Sequence, residues 1–306
     1  MRPDIEKHFA RLSIGTVQFG LHYGVTNHHG QVSPIDAARI LGVAKTAGIS
    51  ALDTAVAYGN SEQRLGSIGV AEWQVTSKLP AAPPSVRTST EAYRWALDSL
   101  TGSLSRLRVP KLHALLFHRP ADVIGPFGEA LLSAALELKQ QGVIGKVGYS
   151  IYSPRELDQL HNVFWPDVVQ APFNILDRSL EDTGWLQRLA ENGTEIQCRS
   201  VFLQGVLIAH PQHRPAYFDQ WSELWDEWDE WLAANGQSAL EICLRFVLSR
   251  ARISRIVVGI DSVDQLEQLI TCIRHSEFDT ECISSLPEFL HNPDPRLTDP
   301  SRWPTR

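Results

Sequence analysis

The segment Ala51-Leu52-Asp53-Thr54-Ala55-Val56-Ala57-Tyr58-Gly59-Asn60-Ser61-Glu62 passes from an apolar run into small and polar residues. Such a transition reads as a buried strand that ends at Asp53, a loop that carries Tyr58, and a helix that follows. Asn60 or Ser61 is placed to cap that helix. The same unit recurs along the chain. Arg11 to Thr16 reads as a strand, and Ser33-Pro34 opens a helix that Gly48 stops. Further strands are expected at 49–53, 73–78, 112–118, 144–150, 168–170, 194–199 and 255–259, with helices between them. Ser153-Pro154-Arg155-Glu156 has the form of a capping box.

Short apolar strands without alternation suit a parallel sheet covered on both sides. Eight strand–helix units of this kind match a (β/α)8 barrel. A doubly wound sheet would carry a Gly-x-Gly-x-x-Gly turn after its first strand; Gly15-x4-Gly20 is not that turn. The expectation is therefore one (β/α)8 TIM barrel domain over 1–306, with an expanded region at about 200–237 and a C-terminal extension at about 276–306.

The chain has 306 residues, a net charge of −7 and no basic run. Nucleic acid and anionic membrane are poor partners for such a surface. The four cysteines, Cys198, Cys243, Cys272 and Cys282, form no C-x-x-C pair and read as reduced space-fillers. The N-terminus lacks the apolar core of a signal peptide, and no apolar run has transmembrane length, so a cytoplasmic location is the default expectation.

Function in such a barrel gathers at the C-terminal ends of the strands. Asp53, Tyr58, Lys78 and His118 fall there in order. A phenol ionises near pH 10, and a neighbouring ammonium favours the phenolate. A carboxylate beside the lysine keeps it charged and fixed, and a histidine can orient a carbonyl or share the proton. The set suits protonation of a carbonyl oxygen as hydride reaches carbon. Each residue alone also has a bland reading as a cap, a loop aromatic, a surface charge or a core histidine.

With these four positions the chain resembles the aldo-keto reductases over most of its length. The matching segments are Gly15-Thr16, Asp53-Thr54-Ala55 with Tyr58-Gly59, Ser61-Glu62 and Leu65-Gly66, then Lys78, His118 and Gly145 to Ser150. Gln170 with Asn174, Arg199-Ser200 with Gly205, and Val257-Val258-Gly259 with Gln265-Leu266 complete the set. The resemblance implies NAD(P)H-dependent reduction of an aldehyde or ketone, with NADP(H) the family default and NAD(H) open. It implies that Ser150 and Gln170 hold the carboxamide and that Arg199 stacks on the nicotinamide. Ser200, Phe202, Gln204 and Gly205 would follow the pyrophosphate, and Gly259, Ser262 and Gln265 the adenosine. Gly15, Thr16 and Asp53 are further cofactor contacts. Val17, Tyr58 and His118 would face a small carbonyl substrate, sugar-like by analogy. No metal is implied.

Three departures stand out. Ile151 replaces an asparagine, Leu269 another, and Asp261 stands where the family often has Lys or Arg. An acidic residue repels a 2′-phosphate and accepts from a ribose hydroxyl; Arg255 or Arg274 are alternative sources of positive charge. Val17 replaces a tryptophan and opens the pocket wall, and His22, Tyr23, His28 and His29 stand in the loop beyond. Trp221, Trp225, Trp228 and Leu232 mark one face of an amphipathic helix that either packs on the barrel or forms a lid. Two other functions stay open. One is a cofactor sensor without catalysis on the same barrel; the other is a metal-dependent hydrolase. Oligomeric state is not legible.

Overall fold

The computed structural model describes residues 3–275, 286–292 and 294–304. Residues 276–285 of the expected C-terminal extension, with Cys282, lie outside the described residues. Eight strands form a closed barrel in sequence order. They are β1 Leu12–Gly15, β2 Ala51–Asp53, β3 Gln74–Leu79, β4 Leu112–Phe117, β5 Ile144–Ser150, β6 Val168–Pro172, β7 Glu195–Arg199 and β8 Arg255–Gly259. All neighbours are parallel, and β8 closes on β1 with Gly259 opposite Gly15. Helices cover the outside: α1 Pro34–Thr46, α2 Ser61–Ile68, α3 Ser89–Leu107, α4 Gly128–Gln140, α5 Leu157–Val163, α6 Trp185–Glu191, α7 Ala239–Leu248 and α8 Val263–His275. This is the (β/α)8 barrel.

Local chemistry starts these helices. Ser33 accepts from the Asp36 amide with Pro34 in the first turn of α1. Thr88 and Glu91 form a capping box at α3, and Ser153 and Glu156 form one before α5. At α2 the expected cap is not made: neither Asn60 nor Ser61 caps through its side chain. Ser61 Oγ instead donates to Thr16 O at 2.9 Å, binding the Tyr58 loop to the end of β1.

The strands do alternate, contrary to the sequence expectation. Ile14, Leu52, Val75, Leu115, Val147, Val169, Ile196 and Ile256 share one core with helix residues such as Ile40, Leu65, Leu100, Leu131, Leu160 and Phe246. Their neighbours face the barrel axis. There, among the described residues, Ala114, Leu116 and Val168 form a small apolar cluster apart from the main core. Asp53, Thr76, Lys78, Gln170, Glu195 and Gln197 are buried polar residues on the same strands. Both strand faces are buried, but the inner one is a hydrogen-bonded polar network.

Between β7 and α7 the chain forms short 3-10 turns and the helix Ser222–Asn235. Leu224, Trp225 and Trp228 are its buried residues. The Trp228 indole donates to Leu207 O and the Trp225 indole to Phe218 O. Trp303 packs edge-on against Phe218 at 5.0 Å. The helix therefore buttresses the segment after β7 and contributes no residue to the cavity at the barrel mouth.

Candidate active site

A cavity of about 480 Å³ opens at the C-terminal ends of the strands. Its wall includes Gly15, Thr16 and Val17 after β1, Asp53 and Tyr58 after β2, and Gln170 on β6. Arg199, Ser200, Phe202, Gln204 and Gly205 follow from β7, and Gly259, Asp261 and Gln265 from β8. Lys78, His118, Ser150 and Ser262 are not on the wall. Ser150 is buried opposite Gln170, and Ser262 Oγ accepts from the Gln265 amide at the start of α8.

Lys78 occupies the centre of the polar set. Its Nζ donates to Asp53 Oδ1 at 2.7 Å and Oδ2 at 2.6 Å, to Thr54 O at 3.1 Å and to Tyr58 OH at 3.3 Å. The Lys78 and Asp53 side chains are only 1% and 5% exposed. The Tyr58 ring meets the His118 ring edge-on, with centroids 5.7 Å apart. The His118 amide donates to Leu79 O, so the ring stands one residue beyond β4. The structure thus gathers all four expected catalytic residues at one point.

Backbone packing fixes the Tyr58 loop. A Cβ on Gly20 would lie 1.7 Å from Tyr58 O, and one on Gly59 would lie 2.4 Å from Gly20 O. Gly59 also has φ +56, in the left-handed region. The two glycines let the loop after β1 and the Tyr58 loop touch backbone to backbone.

Electrostatics refine the expected chemistry. The Tyr58 phenol is raised above its ordinary value, first by burial and then by the Asp53 carboxylate, with Arg199 opposing. Burial and Asp53 together outweigh the nearby positive charge of Arg199. Burial also lowers Lys78, against the pull of Asp53. His118 is pushed down to about 4 by burial and by Lys78. At neutral pH the site therefore holds a protonated phenol and a neutral imidazole.

Three buried acceptors without a hydrogen-bond partner lie on the cavity wall: Gln18 Oε1, Gln170 Oε1 and Asp261 Oδ1. Unpaired buried acceptors call for a donor, from water or from a ligand. Leu203, Gln204 and Gly205 have consecutive positive φ values of 48°, 52° and 92°. The Leu203 amide donates to Ser200 O and the Gly205 amide to Phe202 O, which closes this segment into a tight turn on the cavity wall. Carboxamide and hydroxyl groups of a dinucleotide fit the unpaired acceptors.

Arg199 lies on the cavity wall and is held by its neighbours. Its guanidinium lies over the Tyr152 ring at 4.5 Å and donates to Ile151 O at 3.0 Å. Tyr152, Gln18 and the carbonyl of Thr54 are contributors that sequence reasoning missed. For Gln18 a signal existed: a polar residue between Val17 and Phe19 in an otherwise apolar run. Arg255 and Arg274 do not face the cavity; Arg255 binds Ala10 O and Gln74, and Arg274 lies over Phe9. Among the described residues no cluster of three or more His, Cys, Asp or Glu is arranged to hold a metal ion, and no helix is long and apolar enough to cross a membrane.

The model of the Aldo/keto reductase family matches residues 11–291. The chain belongs to the aldo/keto reductase family. An aldo-keto reductase of Mycobacterium sp. (strain KMS) is 29% identical over 182 residues, covering 59% of this chain and 64% of that protein. The chain thus aligns with just under two thirds of that relative's length. The L-glyceraldehyde 3-phosphate reductase of Escherichia coli O157:H7 is 24% identical, with 88% of each chain covered. A holo-form aldo-keto reductase from Bacillus halodurans superposes with a TM-score of 0.74 at 20% identity, covering 96% of this chain and 95% of that one. This likeness concerns the fold.

Proposed function

We propose that this aldo/keto reductase reduces a small aldehyde or ketone, with Tyr58 as the proton donor and a nicotinamide dinucleotide along the cavity. The observation that carries the reading is Lys78 Nζ, held on Asp53 and 3.3 Å from the Tyr58 hydroxyl at the cavity wall. The bound dinucleotide supplies hydride. Gln170, with Ser150 behind it, would hold its carboxamide; Ser200, Phe202, Gln204 and Gly205 its pyrophosphate; Gly15, Thr16, Gly259, Ser262 and Gln265 its remaining contacts. The chain's own residues manage the proton. Tyr58 enters turnover protonated, because burial and Asp53 hold its phenol high. As the proton moves to the carbonyl oxygen, the phenolate forms beside the Lys78 ammonium, where it is stabilised. Neutral His118 orients the carbonyl by hydrogen bonding, and Val17 leaves room beside it.

Asp261 favours NAD(H) over NADP(H). Its carboxylate lies on the cavity wall with one oxygen unpaired, suited to a ribose hydroxyl and opposed to a phosphate. The Escherichia coli relative's name gives a lead on substrate: a short hydroxy-aldehyde suits the polar wall formed by Tyr23, His28, His210 and His213. The test titrates NADH and NADPH against tryptophan fluorescence, then follows oxidation with glyceraldehyde, its phosphate and simple aldehydes. Tight NADH binding with aldehyde-dependent oxidation is expected. Binding without oxidation of either cofactor by any carbonyl would favour a sensor; no binding at all would end the proposal.

A further inference from the structure

A chain of hydrogen bonds runs down the barrel axis from the candidate active site to the opposite face. Gln170 Nε2 donates to Asp53 Oδ1 at 2.7 Å and to Gln197 Oε1 at 3.1 Å. Gln197 Nε2 donates to Glu195 Oε1 at 2.8 Å. Glu195 also accepts from Lys146 Nζ through Oε2 and from His113 Nε2, which lies 2.9 Å from Oε2 and 3.2 Å from Oε1. Gln170 and Gln197 are 0% and 2% exposed, and Glu195 8%.

The direction of the chain follows from its ends. Carboxylates only accept. Asp53 therefore takes the NH₂ end of Gln170, and Glu195 takes the NH₂ end of Gln197. The Gln197 oxygen is then left facing Gln170, which spends its second N–H on it. What remains is Gln170 Oε1, buried, without a partner and on the cavity wall. Burial would raise Glu195, but donation from His113, Lys146 and Gln197 prevails and holds it far below the usual carboxylate range. The anchor stays ionised at any working pH.

We infer that Glu195, on the far face of the barrel, is a positioning residue for the nicotinamide ring: through Gln197 it fixes the amide of Gln170 so that its oxygen accepts from the cofactor's carboxamide NH₂. This rests on the nicotinamide reading above. Glu195→Gln shows why. Lys146 would keep the one remaining oxygen, and the new NH₂ would take the Oε1 place and face Gln197. Gln197 must then turn its oxygen toward residue 195 and its NH₂ toward the NH₂ of Gln170. Two donors meet, and Asp53 forbids Gln170 from reversing. The Gln170 amide loses its single orientation.

The experiment compares the dissociation constants of NAD and of 3-acetylpyridine adenine dinucleotide, whose ring carries a methyl ketone in place of the carboxamide. Fluorescence titration reads binding without turnover. Wild-type protein is expected to prefer NAD, and Glu195→Gln to lose about three- to tenfold of that preference, the worth of one neutral hydrogen bond. Gln197→Met, which leaves the Glu195–Lys146–His113 cluster in place, is expected to do the same. Circular dichroism identifies any variant that fails to fold, and the other then decides. Equal weakening of both dinucleotides, or an unchanged ratio, overturns the inference while the nicotinamide reading stands. Wild-type protein that binds neither dinucleotide overturns that reading, and this inference with it.

Discussion

Lys78→Met removes the cation from a pair that is almost wholly buried. Breaking such a pair by deleting one partner costs about 3–5 kcal/mol, because the other charge is left uncompensated. Here the lower end applies, since Asp53 keeps its 2.7 Å bond from Gln170. For 306 residues the unfolding entropy is roughly 0.64 kcal/mol/K, so about 3 kcal/mol lowers Tm by roughly 5 °C. The double variant Asp53→Leu with Lys78→Met removes both charges. It is expected to recover most of the lost stability, because burial already penalises the Lys78 ammonium. Both variants should lack turnover. Nine tryptophans make intrinsic fluorescence a direct probe of thermal unfolding. A Lys78→Met protein that melts within about 1 °C of wild type, well under 1 kcal/mol, would refute the reasoning. So would a double variant less stable than the single one.

Three further predictions follow from the same geometry. His118 is held at about 4 in the folded chain against about 6.5 unfolded, so the unfolded state binds more protons between those values. Stability from this group is complete above about pH 6.5 and is lost as pH falls to about 4; Tm measured across that window should slope less steeply in His118→Gln. Gly20→Ala drives a Cβ into Tyr58 O and should cut kcat about a hundredfold by displacing the phenol, while a crystal structure shows the barrel intact; normal kcat would mean the loop position is not critical. Asp261→Arg replaces a repelling charge with a phosphate-binding one and should tighten NADPH about tenfold or more over wild type, as read by fluorescence titration; unchanged NADPH affinity would remove Asp261 from the cofactor site.

The barrel was legible because its punctuation is local. Ser33-Pro34, Gly48 and the Ser153–Glu156 box mark helix ends by their own chemistry. Asp53 follows the apolar pair Ala51-Leu52 at a strand end and Lys78 is the penultimate residue of β3, and the structure joins them across neighbouring strands. The polar axis was not legible. Thr76, Gln197 and Glu195 are isolated polar residues in short strands, and only closure of the barrel brings them together. The sign of the Tyr58 perturbation was likewise hidden. It depends on how deeply the hydroxyl is buried and on the Asp53 carboxylate near it, neither of which spacing reveals. Asn60 and Ser61 have the composition of a helix cap, but Ser61 finds Thr16 instead, a partner 45 residues away.

Catalysis by this site depends on Tyr58 as the acid. Stopped-flow oxidation of bound reduced cofactor by an aldehyde substrate, wild type against Tyr58→Phe, tests this most directly. The variant is expected to bind cofactor with wild-type affinity, since Lys78 and Gln170 keep their bonds to Asp53, and to lose about 10²- to 10⁴-fold in the oxidation rate, the range of general acid catalysis. Oxidation at the wild-type rate in Tyr58→Phe would contradict the assignment.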